Sequence, residues 1–336
     1  MDEKSWSAPN AHSPEIILVT GGAGYIGSQL IRALAEDPHH PGITIRILDN
    51  MQREGYRAFM DLPEVARYQF FEGDILDPVT VRRALVGVTT VIHMAAIVKT
   101  PLSFDHPAWT EQVNHWGTTR LVEHCLEAGT NRFLYVSSVS VYGPGGPFDE
   151  TSVCRPVGPY AQSKWQAEQA VLAAVPRGLQ PTILRLATVF GYAPTIRFDA
   201  VANRFAYLAG VGRPLTVYGK GDQTRPLIHV RDATAAILFC LTHEAETRDT
   251  IFNVVGANAS IFDLVEAVQA EKPDVRVHYT EQDVLTHFSF AVDGRKFQSL
   301  GWKPALTVTA GMAELLKHFR NVSTPPLSVQ RNEEDR

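Results

Sequence analysis

The chain has 336 residues, with 31 Lys and Arg against 36 Asp and Glu, so its formal net charge is −5. Hydrophobic residues make up 45% and charged residues 20%, values that exclude a disordered, collagen-like or coiled-coil chain. The mild acidity argues against nucleic-acid binding through a general basic surface, and no apolar run reaches the ~18–20 residues needed to span a membrane.

The first half predicts a doubly wound parallel α/β sheet. Residues 1–14 are polar, lack the apolar core of a secretion signal, and are predicted to be a disordered tail. Short apolar runs then alternate with amphipathic stretches, as expected for strands covered on both faces by helices. The predicted strands are 16–20, 43–49, 68–72, 88–93, 132–137 and 182–186, and the predicted helices are 25–36, 78–85, 115–128 and 159–174.

The second half is less regular and predicts a smaller C-terminal α/β lobe. Helices are expected at 199–209, 232–242, 260–272 and 308–319, with short strands at 215–218, 227–229, 252–255 and 275–279. We therefore divide the chain into a sheet domain at 15–190 and a lobe at 191–320, between which the chain can cross back, and a second disordered tail at 321–336. The three cysteines are widely spaced, which predicts free thiols, and His93, His229 and His287 lack metal-ligand spacing, so no metal site is predicted.

The strongest local signal follows the first predicted strand, where a glycine-rich turn leads into a helix. Gly21, Gly24 and Gly27 would allow a tight turn and close approach of the backbone to a dinucleotide pyrophosphate. Asp49 ends the second predicted strand. A carboxylate there accepts hydrogen bonds from the adenosine ribose and repels a 2′-phosphate, which favours NAD over NADP. Arg53 nearby leaves NADP open as an alternative.

A group of hydroxyls and a tyrosine–lysine pair predict acid–base catalysis. The stretch 134–143 places several hydroxyl groups at the carboxyl end of a predicted strand, the edge where such sheets bind ligands. Tyr160 and Lys164 are four residues apart and share one face of a predicted helix. A lysine ammonium near the phenol would stabilise the phenolate and lower its pKa, so Tyr160 is a plausible general base.

These motifs resemble the extended short-chain dehydrogenase/reductase superfamily, in its NAD-dependent sugar epimerase/dehydratase branch, over about residues 15–320. Gly73-Asp74-Ile75 resembles its adenine-contacting turn and His93-Met-Ala-Ala96 its fourth-strand motif. Asn114 resembles a helix residue that supports the active site, and Leu300-Gly-Trp-Lys-Pro304 a late motif.

The resemblance implies an NAD-binding Rossmann domain at 15–190 and a substrate-binding lobe at 191–320. It also implies catalysis by Ser138, Tyr160 and Lys164, with Lys164 holding the nicotinamide ribose. Cofactor contacts are implied for Gly21, Gly24, Tyr25, Ile26, Gly27, Asp49, Asn50, Asp74, Ile75, Ala95, Ala96, Asn114, Tyr160 and Lys164. Substrate contacts are implied for Ser138, Ser140, Thr188 and Arg225.

The residues after Ser138 narrow the reactions that the resemblance leaves open. Dehydratases of the family carry Asp-Glu directly after the catalytic Ser or Thr, and decarboxylases tend to have Glu at the second position. Val139 and Ser140 stand there in this chain and cannot exchange protons in that way.

The predicted function is a nucleotide-sugar epimerase that works by transient oxidation to a keto intermediate. The alternative is an NAD(P)-dependent dehydrogenase or ketoreductase acting on a sugar, a cyclitol or a secondary-metabolite carbonyl. A non-enzymatic NAD-binding protein is disfavoured by the intact catalytic residues.

The substrate lobe both matches and departs from the family. In relatives an arginine equivalent to Arg225 often holds a nucleotide diphosphate, and a guanidinium fork suits phosphate geometry. A structural ion pair is the alternative role. Pro226 replaces a common Asp, and the stretch 283–290 lacks an arginine that many relatives have ahead of the residue matching Asp293. One diphosphate contact is therefore expected to be missing.

The resemblance also implies a homodimer through the helices around the Tyr160–Lys164 pair. The expected partner is a small-molecule substrate of the nucleotide-sugar class, and neither nucleic acid nor a membrane is expected. The chain is expected to be cytoplasmic. Trp109 and Trp116 are expected to serve in packing.

Overall fold

The computed structural model describes residues 15–281 and 288–322, and the structural statements below refer to these residues. The predicted tail at 1–14 and residues 323–336 lie outside them. The strands are β1 (Ile16–Thr20), β2 (Thr44–Asp49), β3 (Arg67–Glu72), β4 (Thr90–His93), β5 (Arg132–Ser138), β6 (Gly145–Phe148), β7 (Gln180–Leu186), β8 (Thr188–Phe190), β9 (Leu215–Tyr218), β10 (Thr224–His229), β11 (Thr250–Val254), β12 (Ala257–Ser260), β13 (Val277–Thr280) and β14 (Phe290–Val292).

Several helices begin at a residue whose side chain caps them. Asp77 accepts hydrogen bonds from the first-turn amides of α2, and Ser260 with Asp263 forms a capping box on α10. The helices are α1 (Tyr25–Ala35), α2 (Pro78–Leu85), α3 (Thr100–Asp105), α4 (Pro107–Glu111), α5 (Thr118–Ala128), α6 (Pro159–Ala173), α7 (Val201–Gly210), α8 (Val230–Thr242), α9 (Glu244–Thr247), α10 (Ile261–Glu271), α11 (Arg295–Gln298) and α12 (Val308–Lys317). A π-helical stretch, Gln112–Gly117, joins α4 to α5.

The main sheet has the predicted doubly wound parallel form. Within the described residues it contains seven strands in the order β11-β7-β5-β4-β1-β2-β3, all neighbours running parallel. The strand order reverses direction between β1 and β4. A crevice therefore opens beyond the carboxyl ends of these two strands, where ligands bind in sheets of this type.

Two apolar layers cover the sheet. Alternate residues of a strand point to opposite faces. Ile17 and Val19 of β1 belong to the apolar cluster that contains Leu30 of α1 and Ile237 of α8. Leu18 belongs to the cluster on the other face, formed with α2, α5 and α6. The continuous apolar sequence of β1 is thus explained by burial on both sides.

The smaller lobe is built from parts of the second half around its own core. β8, β10 and β12 form a three-stranded sheet, and α7, α10 and α12 pack around buried residues such as Leu264 and Met312. β11 and α8 also come from the second half, but β11 lies in the main sheet and α8 packs on its face. The chain therefore crosses back to the first domain within residues 230–254.

Three details differ from the sequence predictions. β3 lies at the edge of the sheet, where Phe70 is 42% exposed, because an edge strand lacks a neighbour on its outer side. Short elements such as β6, β8 and β14 were not predicted, since three or four residues carry too little periodic signal. Trp109 packs against the core, but Trp116 is 56% exposed, so the packing prediction is wrong for Trp116.

Candidate active site

A cleft of about 520 Å³ lies at the carboxyl edge of the main sheet and is bounded on its other side by the smaller lobe. It brings together nearly all the residues singled out from the sequence. Those that line it are Gly21, Gly24, Tyr25, Ile26, Gly27, Asp49, Asn50, Asp74, Ile75, Ala95, Ala96, Ser138, Ser140, Tyr160, Lys164, Thr188 and Arg225.

Asn114 is the exception. It is buried at 1% exposure and does not line the cleft. Its side-chain amide accepts a hydrogen bond from the Ile97 backbone N–H at 2.7 Å and donates to the Ile97 carbonyl and to Ser163 Oγ. Asn114 therefore positions Ile97, which itself lines the cleft, and its cofactor contact stays a prediction.

The glycine turn has the geometry that a pyrophosphate site requires. Gly21 has a positive φ of 71°, and a Cβ on Gly27 would lie only 2.4 Å from the Gly21 carbonyl oxygen. No side chain caps α1, which follows Gly24 and begins at Tyr25 with no acidic residue in its first turn. Its uncapped N–H groups and positive dipole end can accept an anion. This part of the cleft therefore fits the diphosphate of NAD.

The other end of the cofactor site carries carboxylates from two neighbouring strands. Asp49 accepts hydrogen bonds from the Ala23 and Met51 amides, both at 3.0 Å, and its burial raises the pKa of the carboxyl group. Asn50 Nδ2 donates to Asp74 Oδ2 at 2.8 Å. These contacts hold Asp49 beside the glycine turn, where it can accept hydrogen bonds from a ribose.

Ser138 and Tyr160 meet at the opposite end of the cleft. Ser138 Oγ accepts hydrogen bonds from Ser140 Oγ at 2.9 Å and from the Ser140 amide at 3.2 Å. Because Ser140 occupies both acceptor positions of Ser138 Oγ, the Ser138 hydroxyl donates to the Tyr160 oxygen. This hydrogen bond acts to lower the pKa of Tyr160. The three hydroxyl groups form a chain able to pass a proton.

The electrostatics around Tyr160 differ from the prediction. Burial raises the pKa of Tyr160 above its usual value, against the smaller effects of the Ser138 hydrogen bond and of the Arg197 and Arg53 charges. The predicted net lowering is therefore not found in the protein alone. Desolvation of a phenolate is costly, and these neighbours offset it only in part.

Lys164 lies deeper than Tyr160. Its Nζ donates to the Val136 carbonyl at 2.8 Å and lies 4.8 Å from the centre of the Tyr135 ring. Burial lowers the pKa of Lys164 to about 7, and the charge of Glu168 acts in the opposite direction. The Val136 carbonyl thus positions the Lys164 ammonium, and the Glu168 carboxylate favours its charged form.

Glu168 anchors a buried polar network that the sequence predictions missed. Its carboxylate accepts hydrogen bonds from Ser137 Oγ and, at 2.7–3.2 Å, from the Arg185 guanidinium. Arg185 also donates to Tyr142 at 2.8 Å, and Tyr142 donates to Asn253 Oδ1 at the same distance. The sequence spacing could have indicated the contact between Glu168 and Lys164, because Glu168 follows Lys164 by four residues and shares its helix face.

Arg225 lies in an aromatic setting. Its guanidinium donates to the Phe288 carbonyl and lies 5.6 and 5.7 Å from the ring centres of Phe288 and Phe290. Burial lowers the pKa of Arg225 to about 10. The stretch 283–290 that lacks the expected arginine thus contributes two phenyl rings to the cleft. Residues 283–287, which include His287, lie outside the described residues.

Neither a metal site nor a membrane-spanning helix is found in the described part of the chain. In residues 15–281 and 288–322, no three His, Cys, Asp or Glu side chains are grouped closely enough to hold a metal ion. No helix in the same residues is long and apolar enough to cross a membrane.

Comparison with known proteins agrees with this geometry. The sequence model of the NAD dependent epimerase/dehydratase family matches residues 17–255. A dTDP-D-glucose 4,6-dehydratase of Mus musculus is 30% identical over 327 residues, covering 94% of this chain and 91% of that enzyme. The structure of a UDP-glucose 4-epimerase from Thermus thermophilus in complex with NAD is 26% identical, with a TM-score of 0.78, and covers 91% of this chain and 99% of that one. A dTDP-glucose 4,6-dehydratase from Streptomyces venezuelae, with NAD bound, is 27% identical with the same TM-score, covering 91% and 97%.

The relatives confirm three predictions made from the sequence: the extended short-chain dehydrogenase/reductase fold, enzymatic activity and NAD as the cofactor. They include both epimerases and dehydratases of nucleotide sugars, so they identify the family of this chain but not which of the two reactions it catalyses. The chain is an NAD-dependent enzyme that belongs to the NAD dependent epimerase/dehydratase family.

Proposed function

We propose that the enzyme is an epimerase of a nucleotide sugar. One observation carries the choice over dehydration: the cleft wall next to Tyr160 presents the hydroxyls of Ser138 and Ser140. The carboxylates that line the cleft in the described residues are Asp49, Asp74 and Asp199. Elimination of water needs an additional acid and base beside the tyrosine, and a serine cannot fill those roles at neutral pH.

The reaction follows from the positions of three side chains. NAD, when bound, would supply an acceptor and donor of hydride for the sugar carbon. Tyr160 removes the proton of a ring hydroxyl and later returns it. The acceptor positions of Ser138 are filled by Ser140, so its single proton, shared with Tyr160 in the free protein, turns to the reacting oxygen once the substrate is bound. Lys164 binds the ribose hydroxyls and provides positive charge near the phenolate. Rotation of the keto form within the cleft exposes its other face to the returning hydride.

The substrate assignment rests on Arg225. A partly desolvated guanidinium with two phenyl rings beside it suits a phosphate and a flat base at the same place. The solved relatives named above act on UDP- and dTDP-sugars. We therefore propose a pyrimidine nucleotide sugar as substrate.

The reaction is tested with the purified enzyme and a panel of UDP- and dTDP-hexoses. We expect an epimeric sugar nucleotide to appear, as followed by nuclear magnetic resonance, without accumulation of reduced nicotinamide and without added reductant. Formation of a 4-keto-6-deoxy product would instead assign a dehydratase. Stoichiometric consumption of NAD would assign the dehydrogenase alternative.

We also propose a homodimer formed through the helices that flank the active site. Trp116 on the π-helical stretch and Trp165 on α6 are 56% and 36% exposed, and these two helical segments pack against each other. Two large apolar side chains left at the surface of adjacent helices are typical of a protein interface.

The dimer is tested by the variant Trp116→Glu, which places a charge in the proposed interface. We expect it to sediment as a monomer at concentrations where the wild type is a dimer, because a buried unpaired carboxylate is costly. The matched control is Tyr279→Glu, which changes a 54%-exposed aromatic residue on the smaller lobe and should leave the dimer intact. If both variants sediment like the wild type, this face is not the interface.

A cytoplasmic location is proposed from the cysteines. Cys125, Cys154 and Cys240 are all free, and Cys125 and Cys240 are buried. Burial raises the pKa of the Cys240 thiol to about 12, so it stays protonated. Unpaired thiols of this kind are typical of a reducing compartment.

A further inference from the structure

Two arginines outside the predicted cofactor site line the cleft from opposite sides of the glycine turn. Arg53 follows β2 in the sheet domain, and Arg197 precedes α7 in the smaller lobe. Neither belongs to the glycine motif or to the catalytic residues. Both nevertheless lie close to the first turn of α1, because the chain segments that carry them contact that turn.

Arg53 is positioned by the loop after β2, which packs directly on the glycine turn. A Cβ on Gly55 would lie only 2.3 Å from the Ala23 carbonyl oxygen, so the two backbones touch there. Ala23, Met51 and Ala58 form a small buried cluster on the same side. Arg53 is two residues from each of Gly55 and Met51, so its backbone is fixed beside the turn.

Arg197 is positioned by the segment 191–195, which is bound to the start of α1. Tyr25 donates from its hydroxyl to the Gly191 carbonyl at 2.6 Å. Thr195 Oγ1 donates to the Gly24 carbonyl at 2.7 Å and contacts Ser28 Oγ at 2.8 Å. Arg197 follows Thr195 by two residues, and a bidentate ion pair with Asp199, at 2.6 and 2.8 Å, fixes its direction.

The charges of the two guanidinium groups act on each other. Burial lowers the pKa of Arg53, and the charge of Arg197 lowers it further. Among the described residues, Arg53 has no carboxylate within ion-pair distance. The charges of Asp199 and Asp49 act on the pKa of Arg53 in the opposite direction, and Tyr160 does so to a smaller extent. Arg53 lines the same cleft as Asp49 and Tyr160.

We propose that Arg53 and Arg197 form a two-sided clamp on the pyrophosphate of the bound cofactor, one arginine from each lobe. The pyrophosphate links the two nucleosides of NAD, so it occupies the middle of the cleft, in front of the uncapped first turn of α1. Arg197 is already paired with Asp199, whereas Arg53 forms no ion pair among the described residues, so a bound anion supplies the partner that the Arg53 charge lacks. Guanidinium forks match the geometry of phosphate oxygens. The clamp depends on the NAD cofactor and not on which reaction the enzyme catalyses.

The test measures release of NAD from the purified enzyme after Arg53→Ala, Arg197→Ala and the double substitution. We expect each single change to raise the dissociation constant about tenfold, and the double change to raise it more, because a charge-assisted hydrogen bond is lost each time. Added NaCl should weaken NAD binding to the wild type more than to the double variant, because Arg53 and Arg197 both keep contact with solvent and salt screens such charges. Thermal unfolding of each variant checks that the fold is retained.

Matched controls and a second ligand make the result specific. Arg57→Ala and Arg204→Ala remove exposed arginines from the same two segments and should leave NAD release unchanged. UDP binding should be weakened by Arg225→Ala and spared by the clamp variants. If the clamp variants weaken UDP binding and spare NAD, the arginines hold the substrate diphosphate and the proposal is wrong. It is equally wrong if Arg53→Ala weakens NADP binding and leaves NAD binding unchanged, because Arg53 would then serve a 2′-phosphate.

Discussion

Replacing Tyr160 by phenylalanine is expected to lower kcat by about 10²–10⁴-fold while NAD stays bound, because only the phenolic oxygen is lost and general-base catalysis contributes on that scale. The ring stays in place, since the two side chains differ only by that hydroxyl. Ser138→Ala is expected to cost less, as the hydroxyl assists and Tyr160 remains. The measurement is single-turnover kinetics with saturating substrate, together with the NAD content of each purified variant.

The pH dependence adds a readout that a structural defect would not produce. Because the cleft raises the pKa of Tyr160, the phenolate fraction grows as pH increases. We expect kcat/KM of the wild type to rise from neutral to alkaline pH, and the profile of Tyr160→Phe to be flat. Tyr279→Phe, at an exposed position, should keep both the rate and the profile of the wild type. A Tyr160→Phe enzyme with near-wild-type turnover would show that another group is the base.

The second large effect is expected on stability, from Glu168→Gln. Arg185 and Glu168 are buried, with side chains 4% and 0% exposed, and their hydrogen bonds satisfy each other. Neutralising Glu168 leaves the Arg185 charge buried without its partner, a change that typically costs about 3–5 kcal/mol. The free energy of unfolding, measured by urea titration, should fall by that amount. The same change removes the charge that sustains the Lys164 ammonium, so activity should fall as well.

A solvent-exposed pair provides the control for this prediction. Arg177 and Glu123 form a similar bidentate contact, at 2.6 and 2.7 Å, but their side chains are 52% and 31% exposed. Water replaces a lost partner there, so Glu123→Gln should change the unfolding free energy far less. Equal losses for the two variants would contradict the argument. The double variant Glu168→Leu with Arg185→Met should regain part of the loss, because it removes both buried charges.

The sequence was sufficient for the features that depend on local order along the chain. The apolar runs predicted the inner strands because these strands are buried on both faces, and the edge strand β3 departs from the pattern because it is not. The glycine spacing predicted the turn at α1, since a Cβ at Gly27 would collide with Gly21. The spacing of Tyr160 and Lys164 placed both on one helix face, and both line the cleft.

Other features depend on contacts between distant parts of the chain. Asn114 has a motif but does not line the cleft, and its amide is hydrogen-bonded to Ile97 and Ser163. Glu168 and Arg185 lie 17 residues apart and meet only when α6 packs on the sheet. Arg197 belongs to no motif, and it reaches the cleft because Thr195 is hydrogen-bonded to Gly24, 171 residues earlier.

The fold class, the cofactor turn and the choice of the proposed catalytic groups follow from the amino-acid sequence, because each depends on residue types at short, regular spacing. The pKa values and contacts of those groups depend on how the chain packs. Burial sets the direction of the pKa shifts at Tyr160 and Lys164, and the packing of one lobe on the other brings Arg53 and Arg197 to the same turn. Desolvation and long-range charge interactions depend on which distant residues become neighbours, and that information is not carried by local spacing.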